Sequence, residues 1–209
     1  MFDTMNTTRF ITPDEIDYLR VTYAVGRSAL GTVITEDVQE NFLSTTKQKM
    51  IEGLMHVAVV FDDDSKPIAS YQAYEVPQIL AWRWNGLSSV AKHNHYNKTA
   101  PIIAPALDMI VNLMESKGYY KFWSLNKESA HNIRYKIMCK HSTLLNRYKC
   151  YDELIIPKGK TSGIPLFDAY RSPTQSYDLL VRLFVLDQKH RVEQLRKHGY
   201  DDYKGTLDI

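Results

Sequence analysis

The sequence predicts an α/β or α+β fold, in which helices cover the faces of a β-sheet. The first observation is that segments with helical apolar spacing alternate with short runs rich in β-branched residues. The second is a composition of 44% hydrophobic and 24% charged residues, which is close to that of soluble globular proteins. The third is a length of 209 residues, which suits one domain with an extension and can bury a core without disulfides or metal.

Two helices are predicted near the start of the chain. Thr12, Pro13 and Glu15 form a start signal, because threonine can cap a helix, proline fits its first position and glutamate completes a capping box. The first helix should run to about Arg27. The second is predicted over residues 35–53, where the glycine at its end would stop it.

A β-hairpin and a third strand should follow. Residues 56–61 are rich in β-branched residues and predict a strand, residues 68–76 after the polar turn predict a second one, and residues 79–90 form the third strand. A central helix comes next and ends at Gly118. Its apolar residues recur at helical spacing: Ile103, Leu107, Ile110, Val111 and Met114.

The remaining elements alternate strand and helix. They are a strand at 120–125, a helix at 129–140, a strand at 150–156, a long connection at 158–176, a strand at 177–186 and a charged helix at 187–198. We therefore expect one domain over residues 1–186, followed by a C-terminal helix and tail over residues 187–209.

Charge and cysteine content exclude several classes of protein. A formal net charge of +2, from 26 basic and 24 acidic residues, argues against dedicated nucleic-acid binding. Cys139 and Cys150 form no CxxC pair, so they predict two free thiols. The apolar runs are too short for a membrane span, and no signal peptide is evident. A cytoplasmic location is expected.

The segment "AKHNHYNKTAP", residues 91–101, concentrates polar and basic side chains just before the central helix. His93 and His95 could chelate a metal, but a catalytic zinc site usually needs a third protein ligand and no spacing singles one out. A polar loop without metal is favoured. Lys92 and Lys98, with the helix N-terminus behind them, could also bind an anion.

The segment "PALDMIVNLMESKGYYKFWSLNKESAHNIRYKI", residues 105–137, together with the order of elements, resembles the GNAT superfamily of N-acetyltransferases. It looks like that family's central helix, its fifth strand and the following helix. The resemblance implies a mixed, twisted sheet of six or seven strands with helices on both faces. It covers roughly residues 10–186 in element order and about 40 residues in motif detail.

In that family a Gln/Arg-x-x-Gly-x-Gly/Ala motif precedes the central helix and holds the pyrophosphate of acetyl-CoA through backbone N–H groups. Counting back from Gly118 places the motif on residues 98–103. Lys98 supplies the basic residue, but Pro101 and Ile103 replace the two glycines, and Pro101 lacks an N–H. The cofactor-binding residues that the resemblance implies are Lys92, Lys98, Thr99, Ala100, Ile102, Ile103 and, at the end of the next strand, Asn126.

The resemblance also implies catalytic residues. Tyr135 matches the tyrosine that protonates the departing thiolate in many GNAT enzymes, and a phenol can act as such an acid. The base that takes the proton from the amine could be Glu75, near the end of a strand, or His93 or His95, because histidine titrates near neutral pH.

The function expected from the resemblance is transfer of an acetyl or other acyl group from acyl-CoA to a small-molecule or peptide amine, with acetyl-CoA as co-substrate. Two alternatives stay open. The domain could keep the fold as a non-catalytic binding or assembly module, or it could use another acyl donor, such as an acyl carrier protein or aminoacyl-tRNA. The sequence also leaves a homodimer open.

Overall fold

The computed structural model describes residues 6–28, 34–76, 81–88, 96–127, 139–160 and 178–198. Four helices and seven strands lie in these ranges. The helices are α1 (Tyr18–Ser28), α2 (Glu36–Ile51), α3 (Tyr96–Ser116) and α4 (Gln188–Lys197). The strands are β1 (Thr7–Phe10), β2 (Met55–Phe61), β3 (Pro67–Val76), β4 (Ala81–Ser88), β5 (Lys121–Lys127), β6 (Tyr148–Ile156) and β7 (Leu179–Leu186).

The described strands form one seven-stranded sheet in the order β1-β2-β3-β4-β5-β7-β6. Strands β1 to β4 are successive antiparallel neighbours. The β4–β5 pair is parallel, and α3 makes the crossover between them. Beyond β5 the pairing is antiparallel again. The predicted mixed α/β architecture is therefore confirmed.

The alternation of side chains along the strands sends two apolar layers to opposite faces of the sheet. On one face, Val57 and Val59 of β2 pack with Leu19 of α1 and Leu43 of α2. On the other face, Ala58 and Val60 belong to the larger core that includes α3. The fully buried residues of that core on α3 are Ala106, Leu107, Ile110, Val111 and Met114. Helices thus cover both faces.

The N-terminal segment differs from the prediction. β1 was not predicted, because four residues with the sequence TTRF carry too little periodicity to indicate a strand; it pairs with β2 along the edge of the sheet. The start signal is confirmed, since the Thr12 N–H donates to the Glu15 carboxylate at 3.0 Å. It begins a short 3-10 turn over Pro13–Glu15, however, and the α-helix itself starts at Tyr18.

The central helix α3 begins earlier than predicted. Its backbone is helical from Tyr96, so Pro101 and Pro105 lie inside the helix and not at its start. Each proline lacks the N–H that would bond the carbonyl four residues before it. The end is as predicted: Gly118 adopts a φ of 89°, and the Tyr119 N–H returns to the Met114 carbonyl at 3.1 Å.

Several predicted elements lie wholly or partly outside the described residues. The predicted helix at 129–140 and the connection at 158–176 are described only at residues 139–140 and 158–160. The last strand begins at Leu179 and its predecessor at Tyr148, each about two residues from the prediction. Within the described part of the chain, none of the helices is long and apolar enough to cross a membrane.

Candidate functional site

The sheet opens between β4 and β5. Only four residue pairs join these strands, from Ala81 opposite Lys121 to Trp84 opposite Ser124. Both strands then continue, β4 to Ser88 along β3 and β5 to Lys127 along β7. The two parallel strands therefore separate at their carboxyl ends and leave a cleft between them. In α/β sheets, ligands bind at such a position, outside the carboxyl ends of neighbouring parallel strands.

Helix α3 directs its N-terminus to this same end of the sheet. It follows β4 in the chain and ends at Ser116, just before β5 begins, so it runs antiparallel to both strands. The first turn of a helix has free N–H donors and carries partial positive charge. The cleft and the start of α3 therefore form one site that could hold an anionic ligand.

Of the residues predicted to bind cofactor, the structure brings six to this end of the sheet. Lys98, Thr99, Ala100, Ile102 and Ile103 lie in the first turns of α3, and Asn126 lies on β5 beyond its last pair with β4. The prediction had placed residues 98–103 in the loop before the helix, and that boundary is wrong. The side chain of Ile102 packs against the apolar core, so it could offer a ligand only its backbone.

The other predicted residues of the loop and of the following helix cannot be compared with the structure. Lys92, His93, His95 and Tyr135 lie outside the described residues. In the described ranges, no group of three His, Cys, Asp or Glu side chains could hold a metal ion.

Glu75, the one candidate base whose side chain is described, is only 7% exposed. The Tyr119 hydroxyl donates to one of its carboxylate oxygens at 2.7 Å. The other oxygen contacts both the Lys117 ammonium group and the His56 imidazole. Lys117 Nζ and His56 Nε2 are themselves 3.2 Å apart. We call these four residues the Glu75 cluster.

The Glu75 cluster stabilises a charged carboxylate. Burial raises the pKa of Glu75, but the hydrogen bonds from Lys117, Tyr119 and His56 together lower it by more than burial raises it. The pKa of Glu75 is therefore below its ordinary value. Burial and the adjacent carboxylate raise the pKa of Tyr119 above its usual range. A carboxylate that is held ionised and accepts three hydrogen bonds is a poor proton acceptor at neutral pH.

The Glu75 cluster also lies at the wrong end of the sheet for the predicted role. Glu75 stands opposite Trp82, six residues before the end of β4 at Ser88. The cleft opens beyond Trp84, two residues or about 7 Å along β4 from Trp82, and the outer end of β4 at Ser88 is about 20 Å away at about 3.3 Å per residue. The structure therefore does not bring Glu75 together with the start of α3 or Asn126, and its position gives no support to the prediction that it is the base.

A buried polar group, which no sequence pattern indicates, lies beneath the cleft on the α1 face of the sheet. The side-chain oxygens of Thr22 and Ser70 lie 3.2 Å apart, and Gln72 is buried beside them on β3. Ser70 pairs with Leu87 and Gln72 with Asn85, in the part of β4 that has left β5. Buried polar side chains in an apolar layer need hydrogen-bond partners, and such groups are frequent next to ligand sites.

Comparison with solved structures identifies the fold. Ribosomal-protein-S5-alanine acetyltransferase from Vibrio fischeri matches 90% of this chain and 96% of its own, with 11% identity and a TM-score of 0.58. A proposed acetyltransferase from Salmonella typhimurium, solved with its cofactor acetyl-CoA, matches 88% of this chain and 95% of its own, with 10% identity and a TM-score of 0.56. A mutant of spermidine N-acetyltransferase from Vibrio cholerae matches 92% and 98%, with 8% identity and a TM-score of 0.55.

The sequence by itself matches no protein-family model and no curated protein. The strand order, the parallel β4–β5 pair that opens at its carboxyl ends and the structural matches together define the class of fold. The chain has the fold of the GNAT N-acetyltransferases.

Proposed function

We propose that the protein is an N-acyltransferase that moves an acetyl or other acyl group from acyl-CoA to an amine. The observation that carries the proposal is the cleft between β4 and β5, with the first turn of α3 at the same end of the sheet. In this proposal the acyl group and the adjacent pantetheine chain lie between the two strands. The pyrophosphate then meets the N-terminus of α3.

The early start of α3 bears on whether Pro101 prevents pyrophosphate binding. A helix that begins at Tyr96 has its free N–H donors in its first turn, on about the first four residues. Pro101 is the sixth residue of α3, so it removes a hydrogen bond within the helix and none of those free donors. Lys98 adds a positive charge in the first turn, and Lys92 adds another in the segment before it.

The proposed chemistry is direct attack of the amine on the thioester carbonyl. The nitrogen forms a bond to the carbonyl carbon, the carbon–sulfur bond breaks, and the CoA thiolate takes a proton. A backbone N–H at the open end of a strand would stabilise the oxyanion. Tyr135 would protonate the thiolate. We assign the base to His93 or His95, in the segment leading into α3, because Glu75 is held ionised and lies opposite Trp82, in the part of β4 that still pairs with β5.

The proposed acceptor is a small-molecule or peptide amine. Solved neighbours include a spermidine N-acetyltransferase and a ribosomal-protein alanine acetyltransferase, which represent these two kinds of acceptor. The buried polar group of Thr22, Ser70 and Gln72 lies on the α1 face beneath the cleft, so we expect the acceptor to approach from that face.

Calorimetric titration with acetyl-CoA tests the proposal directly. We expect binding, and we expect Lys98→Ala to weaken it at least about tenfold, because a hydrogen bond from a charged group contributes about 1.5–3 kcal/mol. Lys189→Ala is the matched control, because Lys189 is exposed on α4. This helix follows the end of β7, which pairs with the start of β5 and so lies at the end of the sheet away from the cleft. No detectable heat at millimolar acetyl-CoA would refute acyl-CoA binding. Equal affinity of the Lys98 variant would refute only the assignment of Lys98.

The catalytic assignment needs a second experiment. We expect release of CoA thiol when acetyl-CoA is mixed with a polyamine or with a peptide that has a free N-terminus. Loss of the general acid in Tyr135→Phe should lower kcat by about 100-fold or more while leaving acetyl-CoA affinity unchanged. An unchanged kcat would exclude Tyr135 as the acid.

A second candidate function is a GNAT-fold binding or assembly module without catalysis, and Pro101 and Ile103 favour it, because they stand where the family has glycines. A close approach of backbone to phosphate is easiest at glycine. Binding of acetyl-CoA without thiol release, whichever amine is supplied, would support this module. Thiol release only from an acyl carrier protein would instead indicate a different acyl donor.

A further inference from the structure

The elements around the cleft carry no acidic residue. The sequence has no Asp or Glu over residues 76–107, which include β4 and the first three turns of α3, and none over residues 116–127, which include β5. Residues 18–35, which include α1, have none either. Arg27 on α1 and Arg83 on β4 are basic. A cleft bordered by charges of one sign attracts ligands of the opposite sign.

Acidic residues elsewhere are set apart from the cleft. On α3, Asp108 lies about 18 Å from the start of the helix and accepts a hydrogen bond from the Ser142 hydroxyl. The β2–β3 turn over residues 62–66 is acidic, but β4 separates that turn from the cleft. Glu128 follows β5 directly in the sequence, next to Lys127, and lies outside the described residues. Within α1, β4, β5 and the first turns of α3, no carboxylate side chain balances the basic residues.

Helix α1 crosses the sheet toward the cleft. The Tyr18 ring lies edge-on to Phe61 of β2, with ring centroids 5.1 Å apart, and the hydroxyl oxygens of Thr22 and Ser70 of β3 are 3.2 Å apart. The helix also contacts β4. Arg27 is five residues beyond Thr22, or about 7.5 Å along the helix axis, whereas neighbouring strands are about 4.8 Å apart. The last turn of α1 therefore lies over β4, the strand that borders the cleft.

The two arginines of α1 differ in position and in partners. Arg20 forms ion pairs with Asp17 and with Glu40 of α2, so its guanidinium group is already engaged by two carboxylates. Arg27 lies two turns further along, at the end of α1 nearest the cleft. Because α1 and α3 cover opposite faces of the sheet, Arg27 is also separate from Lys98 and the proposed pyrophosphate site.

The polar side chains buried beneath α1 are uncharged. Thr22, Ser70 and Gln72 can form hydrogen bonds with a ligand or with each other, but none of them can neutralise an ammonium group. A positive charge that is taken out of water without a partner of opposite sign is costly. The α1 side of the cleft is therefore unsuited to an acceptor with a second positive charge.

We infer that the acceptor is an amine that carries a carboxylate, as in a free amino acid or an acidic peptide, and that Arg27 binds this carboxylate. The inference rests on the acyl transfer proposed above. An arginine can donate two parallel hydrogen bonds to one carboxylate, which orients the acceptor as well as holding it. A polyamine would instead bring its additional ammonium groups to a cleft whose described elements offer no carboxylate.

Release of CoA thiol from acetyl-CoA, measured with four acceptors, tests the inference. They are L-glutamate, a Glu-Ala-Ala tripeptide amide, an Ala-Ala-Ala tripeptide amide and spermidine. We expect kcat/KM for the two carboxylate-bearing acceptors to exceed that of the other two by about tenfold or more, because hydrogen bonds between charged groups are the strong ones. The ratio of L-glutamate to the acidic tripeptide then distinguishes a free amino acid from a peptide as the source of the carboxylate.

Substitution of Arg27 tests its role. Arg27→Ala should lower kcat/KM for the carboxylate-bearing acceptors by about tenfold more than for the neutral tripeptide. Arg196→Ala is the matched control, because Arg196 is exposed in the last turn of α4, and it should leave the order of the four acceptors unchanged. Circular dichroism would show that both variants are folded. An equal effect of Arg27→Ala on charged and neutral acceptors would overturn the assignment of Arg27.

Binding in the presence of CoA, which has no acyl group to donate, separates this inference from the proposed function. We expect calorimetry to show that L-glutamate or the acidic tripeptide binds at least about tenfold more tightly than spermidine. If these acceptors bind but release no thiol from acetyl-CoA, the proposed acyl transfer fails and recognition of the carboxylate stands. If spermidine or the neutral tripeptide is acylated at least as efficiently, acyl transfer stands and this inference is overturned. Absence of binding by both carboxylate-bearing acceptors would overturn it as well.

Discussion

Substitutions of Glu75 test whether this buried carboxylate contributes to stability or to catalysis. Replacing Glu75 by alanine removes the carboxylate that Lys117, His56 and Tyr119 share. Replacing it by glutamine keeps the shape and one acceptor oxygen but removes the charge. If Glu75 is a structural carboxylate, both changes should lower stability in proportion to what they remove and leave the chemistry at the cleft unchanged.

The expected magnitude follows from the burial of each partner. Breaking a buried ion pair by removing one member costs about 3–5 kcal/mol. Lys117 and His56 keep 37% and 21% side-chain exposure and can regain water, which places the cost at the low end. Tyr119 is 4% exposed, so loss of its bond to Glu75 adds the penalty of a buried hydroxyl, about 1–3 kcal/mol. We expect about 3 kcal/mol for Glu75→Ala and about 1–2 kcal/mol for Glu75→Gln.

Urea unfolding followed by circular dichroism measures the free energy of unfolding of both variants. In a chain of this size, about 3 kcal/mol corresponds to a fall in Tm of about 6–12 °C. Tyr119→Phe is the control, since it removes one hydrogen bond from the cluster and should cost about 1 kcal/mol. At a temperature where all variants are folded, kcat for the proposed acyl transfer should equal that of the unsubstituted protein. A hundredfold loss of kcat in Glu75→Gln at unchanged stability would refute this reasoning and restore Glu75 as the base.

Three further predictions rest on single features. The pKa of Glu75 in the folded protein is below its ordinary value. The stabilisation by this carboxylate is therefore present above the unfolded carboxyl pKa, about 4.3, and is lost as pH falls through the folded pKa. In urea unfolding, the unsubstituted protein should lose more stability between pH 6 and 3 than Glu75→Gln does. The hydrogen bond from Arg9 and the Thr12 N–H lower the pKa of Glu15 to about 2, and an NMR titration should find the pKa nearer its ordinary value in Arg9→Ala. Gly118→Ala should cost about 1–2 kcal/mol in urea unfolding, because the φ of 89° disfavours a side chain and a Cβ would lie 3.4 Å from the His198 ring. A cost below about 0.5 kcal/mol would show that the turn after α3 relaxes.

The parts of the fold that were predictable are those whose residues carry their own periodicity. The hairpin of β2 and β3 follows from the β-branched run of β2 and the polar turn after it, and the core face of α3 follows from the spacing of Leu107, Ile110, Val111 and Met114. β1 was missed because it exists only through pairing with β2, which TTRF does not indicate. Tertiary contacts decided that element, and local preference did not.

The candidate site was predictable only in part, for a related reason. A motif counted along the chain placed residues 98–103 near the open end of the β4–β5 pair, because a crossover helix begins where the preceding strand ends. The Glu75 cluster could not be predicted from a motif counted along the chain. Its members come from β2, β3 and the end of α3, so that His56 and Lys117 lie 61 residues apart in sequence. Glu75 was predicted as a base from its place at a strand end, and that place carries no information about the three side chains that surround it.

The effect of Pro101 on the free N–H donors of α3 depends on where the helix begins. The structure therefore gives an effect different from the one that the sequence suggested. At the start of a helix, this proline would remove an N–H donor from the proposed pyrophosphate site. As the sixth residue of a helix that starts at Tyr96, it leaves the first-turn donors in place. Together with Pro105, it instead deprives the carbonyls of Asn97 and Pro101 of their intrahelical N–H partners. The missing hydrogen bonds therefore make the first turns of α3 less stable, but they do not reduce the partial positive charge at its N-terminus. A ligand that binds these donors would stabilise the same turns, so we expect acetyl-CoA to increase protection of the α3 amides from hydrogen exchange more than it protects the amides of α1 or α2.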